Sequence, residues 1–271
     1  MQTKYVKVSG HAAYIFYQGR TTLPDVMPDF SRGRRIVMVH GAGGNGHTFH
    51  RQIAALSESH SPVALDLPGH GRSAGVEGFS SVSDYADFVA AFIEAIGMKS
   101  AIVLGHSMGG AIAMDLALRH PARVDAIILS ATAGKFSITD EGIEPFKKVA
   151  MGRTPQQFNT DGYSPATVKN NFDVIREGWM EQVKTDPRIR HTDLLACRKF
   201  DLRDRIAEIS KPALIIAGAD DKLATSADAE LMASKIPGAQ LKIIADAGHY
   251  APREKPAEYL GAITEFISAL K

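Results

Sequence analysis

Apolar residues recur along this chain in two rhythms. Short, largely apolar runs at Ile36 to Val39, Pro62 to Leu65, Ala101 to Leu104, Val124 to Leu129, Ala213 to Ala217 and Leu241 to Ala245 each run into a turn. Runs of this length read as strands, with Ile36 to Val39 and Val124 to Leu129 as buried ones. Between them the spacing changes to that of helices. Tyr85, Phe88, Val89, Phe92, Ile93 and Ile96 fall on one helical face, with Gly97 as the stop. A helix is also expected from about Thr225 to Lys235. A last one, introduced by Pro252 and Pro256, buries Leu260, Ile263, Phe266, Ile267 and Leu270. Before all this, Tyr5 to Val8 and Ala13 to Tyr17 flank Ser9-Gly10 and predict a β-hairpin, followed by a punctuated loop from Thr21 to Arg34. Strand and helix signals in alternation predict an α/β fold: a mostly parallel central sheet with helices on both faces.

The alternation stops between Gly134 and about Phe200. Charges are dense there, strand signals vanish, and Ile143 to Met151, Ala166 to Lys184 and Ile189 to Phe200 read as helices. The expected organisation is a core of residues 1–134 and 201–271 interrupted by a helical insertion at 135–200. That insertion carries the sole tryptophan, Trp179, together with Phe146, Phe158, Phe172 and Met180. Packing against the core is the ordinary role of such aromatics.

The bulk numbers narrow the class without naming a chemistry. With 271 residues, 45% of them hydrophobic, the chain has enough apolar material for a sizeable core. A formal net charge of +1 favours neither nucleic acid nor an anionic membrane as partner. The cluster Arg32, Arg34 and Arg35 reads as a solvated loop. A single cysteine, Cys197, excludes an internal disulfide and suits a reducing compartment. With no long apolar span and no apolar leader at the start, a soluble cytoplasmic protein is expected. Nothing in the sequence bears on oligomeric state.

The candidate chemistry centres on GHSMGG, Gly105 to Gly110. A strand signal precedes it and an apolar helix signal follows, so Ser107 stands at a strand-to-helix turn, and Gly105 and Gly109 let strand and helix approach around it. A second G-x-S-x-G, Gly71 to Gly75, lacks both flanking elements, and its Ser73 reads as a loop residue. The loop after Val39 is a decoy of another kind: Gly41, Gly43 and Gly46 form G-x-G-x-x-G, with Asp66 about 20 residues on, as in a dinucleotide site. A hairpin precedes this strand, however, and a nucleotide site would leave Ser107, Asp221 and His249 without a use. His40, His47 and His50 lack metal-ligand spacing, so no metal site is expected.

The serine, an acid and a histidine therefore stand in the order Ser107, Asp221, His249, each just past a strand signal. With HGAGG at 40–44, DLPGHGRS at 66–73, GHSMGG at 105–110, GADD at 218–221 and GHYAPREKP at 248–256, the chain resembles the α/β-hydrolase fold superfamily over nearly its whole length. It looks like the small, cofactor-free serine hydrolases with a helical cap, and 135–200 matches the cap in position. The residue pattern alone leaves the acid open between Asp220 and Asp221; the resemblance implies Asp221, three places after the glycine ending its strand. It also implies an oxyanion hole from the N–H groups of Ala42 and Met108.

The function implied is cleavage of carboxylic esters of small or medium acyl chain through an acyl-enzyme, with water as second substrate and no cofactor. Trp179, Phe146 and Tyr250 are the candidate substrate-binding residues. Carbon-carbon bond hydrolases, lactonases, thioesterases and perhydrolases use the same triad and stay open as alternatives. Two other classes also stay open: a hydrolase-like receptor, which steady turnover would exclude, and a nicotinamide enzyme, which NADH fluorescence would reveal.

Overall fold

The computed structural model describes residues 1–75 and 77–270; Val76 and Lys271, the last residue of the second core segment, lie outside the described residues. A hairpin of β1 (Gln2–Val8) and β2 (His11–Tyr17) opens the chain. Six strands follow: β3 (Arg35–Val39), β4 (Ser61–Leu65), β5 (Ala101–His106), β6 (Val124–Ser130), β7 (Ala213–Gly218) and β8 (Gln240–Ile244). The described strands form one eight-stranded sheet in the order β1-β2-β4-β3-β5-β6-β7-β8. The hairpin is antiparallel and joins β4 antiparallel; from β4 to β8 every pairing is parallel.

Helices cover both faces, which is why the central strands read as apolar runs rather than as alternating patterns. Val37, Val39, Val103, Ile127, Leu129 and Ile215 share one cluster with residues of α2 (Val82–Ala95), α3 (Met108–Arg119) and α8 (Ser226–Lys235). Their sequence neighbours Ile36, Met38, Ile102, Leu104, Ile128 and Ile216 face the other way, onto α1 (His50–Leu56) and α10 (Pro256–Ala269). The period-2 alternation of side chains thus divides one continuous apolar run between two cores. Ser81 caps α2 by accepting from the Asp84 N–H, and Gly97 ends the helical segment at φ 77°.

The inserted segment is helical: α4 (Asp140–Ala150), α5 (Pro165–Asn170), α6 (Phe172–Gln182) and α7 (Pro187–Lys199). α7 packs on α4 and on the core helix α3, while α6 lies against the turn that follows β3. Ala166 to Lys184 is not a single helix, because Asn171 leaves helical geometry at φ −146°, ψ 63° and separates α5 from α6. Adjacent asparagines, whose side chains compete for backbone hydrogen bonds, mark that break in the sequence.

Candidate active site

The elbow after β5 follows from close packing. Ser107 adopts φ 55° and ψ −119°, and its N–H donates to the Ser130 carbonyl at the end of β6. A Cβ on Gly105 would stand 2.0 Å from the Gly109 carbonyl oxygen, and one on Gly109 would stand 2.1 Å from that of Val39. Only glycine allows α3 to cross so near β5 and β3, and that crossing lifts Ser107 above the sheet. Ser73, the rival serine, is engaged otherwise: its Oγ accepts from the Tyr14 N–H at 2.8 Å and donates to the Asp66 carbonyl at 2.6 Å. It pins a loop to β2.

Asp221 and His249 reach the same place from the turns after β7 and β8. The Nδ1 of His249 lies 2.9 Å from Asp221 Oδ2, while Asp221 Oδ1 accepts from the N–H groups of Leu223 and Ala224. Burial alone would raise this carboxyl. The His249 hydrogen bond and charge, with the two N–H donors, outweigh it and hold Asp221 below the usual carboxylate range. Asp220 has its N–H on the Ala247 carbonyl, and its side chain makes no hydrogen bond among the described residues. Ser107 and His249 line one cavity of about 140 Å³ with Gly41, Ala42, Trp179 and Tyr250.

Of the residues expected to bind substrate, Trp179 and Tyr250 are brought to this cavity and Phe146 is not. Phe146 lines a neighbouring groove that shares only Asn159 and Arg190 with it. The N–H groups of Ala42 and Met108 have no hydrogen-bond partner among the described residues, Met108 being the first residue of α3. Asp66, the acid of the dinucleotide-like pattern, is committed inside the core: it accepts from the N–H groups of Gly46 at 2.7 Å and Arg72 at 2.8 Å. Burial pushes its carboxyl up to about 6. His40, His47 and His50 disperse to different partners, the Leu67 N–H, the Glu181 carboxylate and the His47 carbonyl.

Several residues that shape the site have no clear mark in the sequence. His106 donates from Nε2 to the His249 carbonyl at 2.8 Å, and burial, then His249, push its imidazole down to about 3. Glu254 accepts from the N–H groups of Gly248 and Ser164, fixing the turn that carries His249. The loop after β3 is held from the insertion. Asp193 of α7 accepts from the Gly43 N–H at 2.8 Å, Thr185 Oγ1 donates to the Gly44 carbonyl at 3.0 Å, and Asn45 Nδ2 donates to the Glu181 carbonyl at 3.1 Å. Asp193 is fully buried and also bonds His70 Nε2 at 2.7 Å and the Tyr85 hydroxyl at 2.8 Å. His70 Nδ1 faces the Pro68 carbonyl at 3.0 Å, so both ring nitrogens meet acceptors, an arrangement that favours the protonated ring. Burial opposes that charge, but Asp193 carries His70 above the usual histidine range.

A family model described as alpha/beta hydrolase fold matches residues 34–256. The chain belongs to the α/β hydrolase fold family. This hydrolase is 27% identical over 246 residues to the dihydrolipoyllysine-residue acetyltransferase component of the acetoin cleaving system of Cupriavidus necator, covering 83% of its own chain and 61% of that protein. It is also 27% identical over 256 residues to a pimeloyl-acyl-carrier protein methyl ester esterase of Neisseria meningitidis, covering 91% of its own chain and 78% of that one. Among solved structures, the enol-lactonase of Burkholderia xenovorans superposes with a TM-score of 0.86 at 23% identity, covering 97% of this chain and 99% of that one. At that identity the likeness is one of fold. Among the described residues of the hydrolase no helix is long and apolar enough to cross a membrane.

Proposed function

We propose that this hydrolase cleaves carboxylic esters through an acyl-enzyme formed on Ser107. His249 takes the Ser107 proton as Oγ adds to the ester carbonyl, and Asp221 holds the histidine tautomer and steadies the imidazolium. The tetrahedral oxyanion is received by the N–H groups of Ala42 and Met108. Collapse expels the alcohol, which takes the proton from His249. Water, activated by the same histidine, then releases the acid and restores Ser107. The observation that carries this reading is the 2.9 Å Asp221–His249 hydrogen bond in a cavity wall shared with a serine at φ 55°. The methyl ester esterase among the relatives supports it. A second reading, a lactone as substrate, is favoured by a relative from Acinetobacter baylyi named 3-oxoadipate enol-lactonase 1, 27% identical over 250 residues, and differs only in keeping the alcohol tethered to the acyl group.

Residues 135–200 act in this account as a cap over the strand ends, with Trp179 and Tyr250 lining the acyl site. The buried Cys197, whose thiol burial pushes up, supports a reducing, cytoplasmic setting. Stopped-flow hydrolysis of p-nitrophenyl esters of increasing acyl length tests the reaction. An initial burst of p-nitrophenol equal to the enzyme concentration is expected. Ser107→Ala should abolish the burst and lower kcat by about 10⁵-fold or more, as loss of a nucleophile does in serine proteases. Turnover surviving in Ser107→Ala would sink the assignment.

A further inference from the structure

The cavity holds a cation without a counter-charge. Arg190 lies in the first turns of α7, and its stem crosses the loop after β3 so closely that a Cβ on Gly43 would stand 2.6 Å from Arg190 Cγ. Its guanidinium stands 4.5 Å from the centre of the Phe146 ring, and the residue lines both the Ser107 cavity and the adjoining groove. It forms no ion pair and no hydrogen bond among the described residues. The neighbouring groups that favour its charge are Tyr250 and Asp193, and Asp193 is already committed to Gly43, His70 and Tyr85.

Other arginines of the insertion behave in the opposite way. Arg176, Arg188 and Arg198 are exposed and paired, with Asp173, Asp186 and Asp140, and Arg153, whose side chain has no partner among the described residues, is exposed to solvent. The second arginine of the cavity, Arg253, faces Glu177 at 3.9 Å and bonds Thr48. Glu181, the one carboxylate among the residues lining the cavity, is taken by His47 at 3.2 Å and Lys184 at 2.6 Å. The adjoining groove adds Lys148 to its lining and no acid. A half-buried cation left without a counter-charge is unfavourable, and departures of this kind concentrate at functional sites. A guanidinium offers a planar fork that matches a carboxylate.

We propose that Arg190 binds a carboxylate carried by the substrate itself, so that the preferred ester is the half ester of a dicarboxylic acid. This rests on the reading of the Ser107 cavity as the substrate site. The carboxylate supplies the charge that Arg190 lacks, and the ester carbonyl is then oriented by a second point of attachment rather than by apolar contact alone.

Trp179, the sole tryptophan of the chain, lines the cavity and reports binding without turnover. The experiment titrates Ser107→Ala by tryptophan fluorescence with monomethyl succinate, glutarate, adipate and suberate. Each is compared with the neutral methyl ester of equal chain length. At least one half ester should bind about 10- to 100-fold more tightly than its neutral counterpart, the range for a hydrogen bond to a charged group. Adding Arg190→Gln should remove that ratio, and Arg190→Lys should keep part of it. Equal affinities for charged and neutral esters across the series, or a ratio that survives Arg190→Gln, would overturn the proposal. Should Arg190→Gln not fold, the ratio in Ser107→Ala alone decides, absence of preference overturning it. Turnover by the wild-type enzyme is read separately: half esters bound preferentially but never hydrolysed would sink the serine-hydrolase reading, and with it the half ester as substrate, while supporting carboxylate binding by Arg190.

Discussion

Ser107 and Arg190 stand in one cavity but are held there by different means. Ser107 is fixed by backbone: a strand end, a positive φ, an N–H on the Ser130 carbonyl, and two glycines through which α3 crosses β5 and β3. Arg190 is fixed by side chain, its stem laid over Gly43 and its head against Phe146. The same contrast runs through the molecule. Asp221 and His249 sit on turns after paired parallel strands, β7 buried and β8 at the sheet edge, whereas Trp179 packs edge-to-face, at 5.6 Å, on Phe158, itself 42% exposed. Strand-end turns hold groups to the precision a proton transfer needs; helices laid across them offer side chains that can be exchanged with less disturbance. On this account the turns carry the reaction and the insertion chooses the substrate.

The largest effect that sharpens this division belongs to the acid. Asp221→Asn should lower kcat by about 10⁴-fold through the wrong histidine tautomer, while Asp220→Asn stays near wild type. Steady-state kinetics on folded protein of unchanged Tm would show it, and the reverse ranking would move the acid to Asp220.

Next in size is the place where the two regions meet. Asp193 joins α7 to the loop after β3, to His70 and to Tyr85, so Asp193→Ala leaves an imidazole, a hydroxyl and a backbone N–H buried without their partner. Destabilisation by about 3–5 kcal/mol is expected, read by urea unfolding. In the fraction that stays folded, kcat should also fall, because the Gly43 loop loses its tie to the insertion. Unchanged kcat in that fraction would mean the insertion covers the site without positioning it.

A smaller effect is visible in pH. His70 is raised above its unfolded value near 6.5, so its stabilising contribution is complete below that pH and is lost as pH rises through the folded value. The Tm difference between wild type and His70→Gln should therefore be greatest at acid pH and narrow as the pH is raised. A difference that widens toward alkaline pH would mean that His70 is held neutral.

What could be read from the sequence divides along the same line. Ser107, His249 and the Asp220-Asp221 pair were legible as candidates because strand, glycine and turn signals are local, while the choice of Asp221 came from the family resemblance; the elbow, the hairpin and both faces of the sheet follow from patterns a few residues long. Arg190 and Asp193 were not. They stand three residues apart on one face of a helix rich in charge, and only the tertiary fold decides that this face turns inward onto Gly43 while Arg188 and Arg198 turn outward. For the same reason Trp179 and Phe146, alike as aromatics of the insertion, end in different pockets. The break at Asn171 was carried by the Asn170-Asn171 pair and was masked by apolar spacing on either side.

The central claim is that Ser107 alone is the nucleophile, and covalent labelling tests it most directly. Wild-type enzyme is treated with a fluorophosphonate, weighed intact and mapped by peptide mass spectrometry, beside Ser107→Ala and Ser73→Ala. One adduct per chain on the peptide carrying Ser107, lost in Ser107→Ala and retained in Ser73→Ala, is the predicted result. An adduct on Ser73, or ester hydrolysis by a chain that takes no label at Ser107, would contradict it.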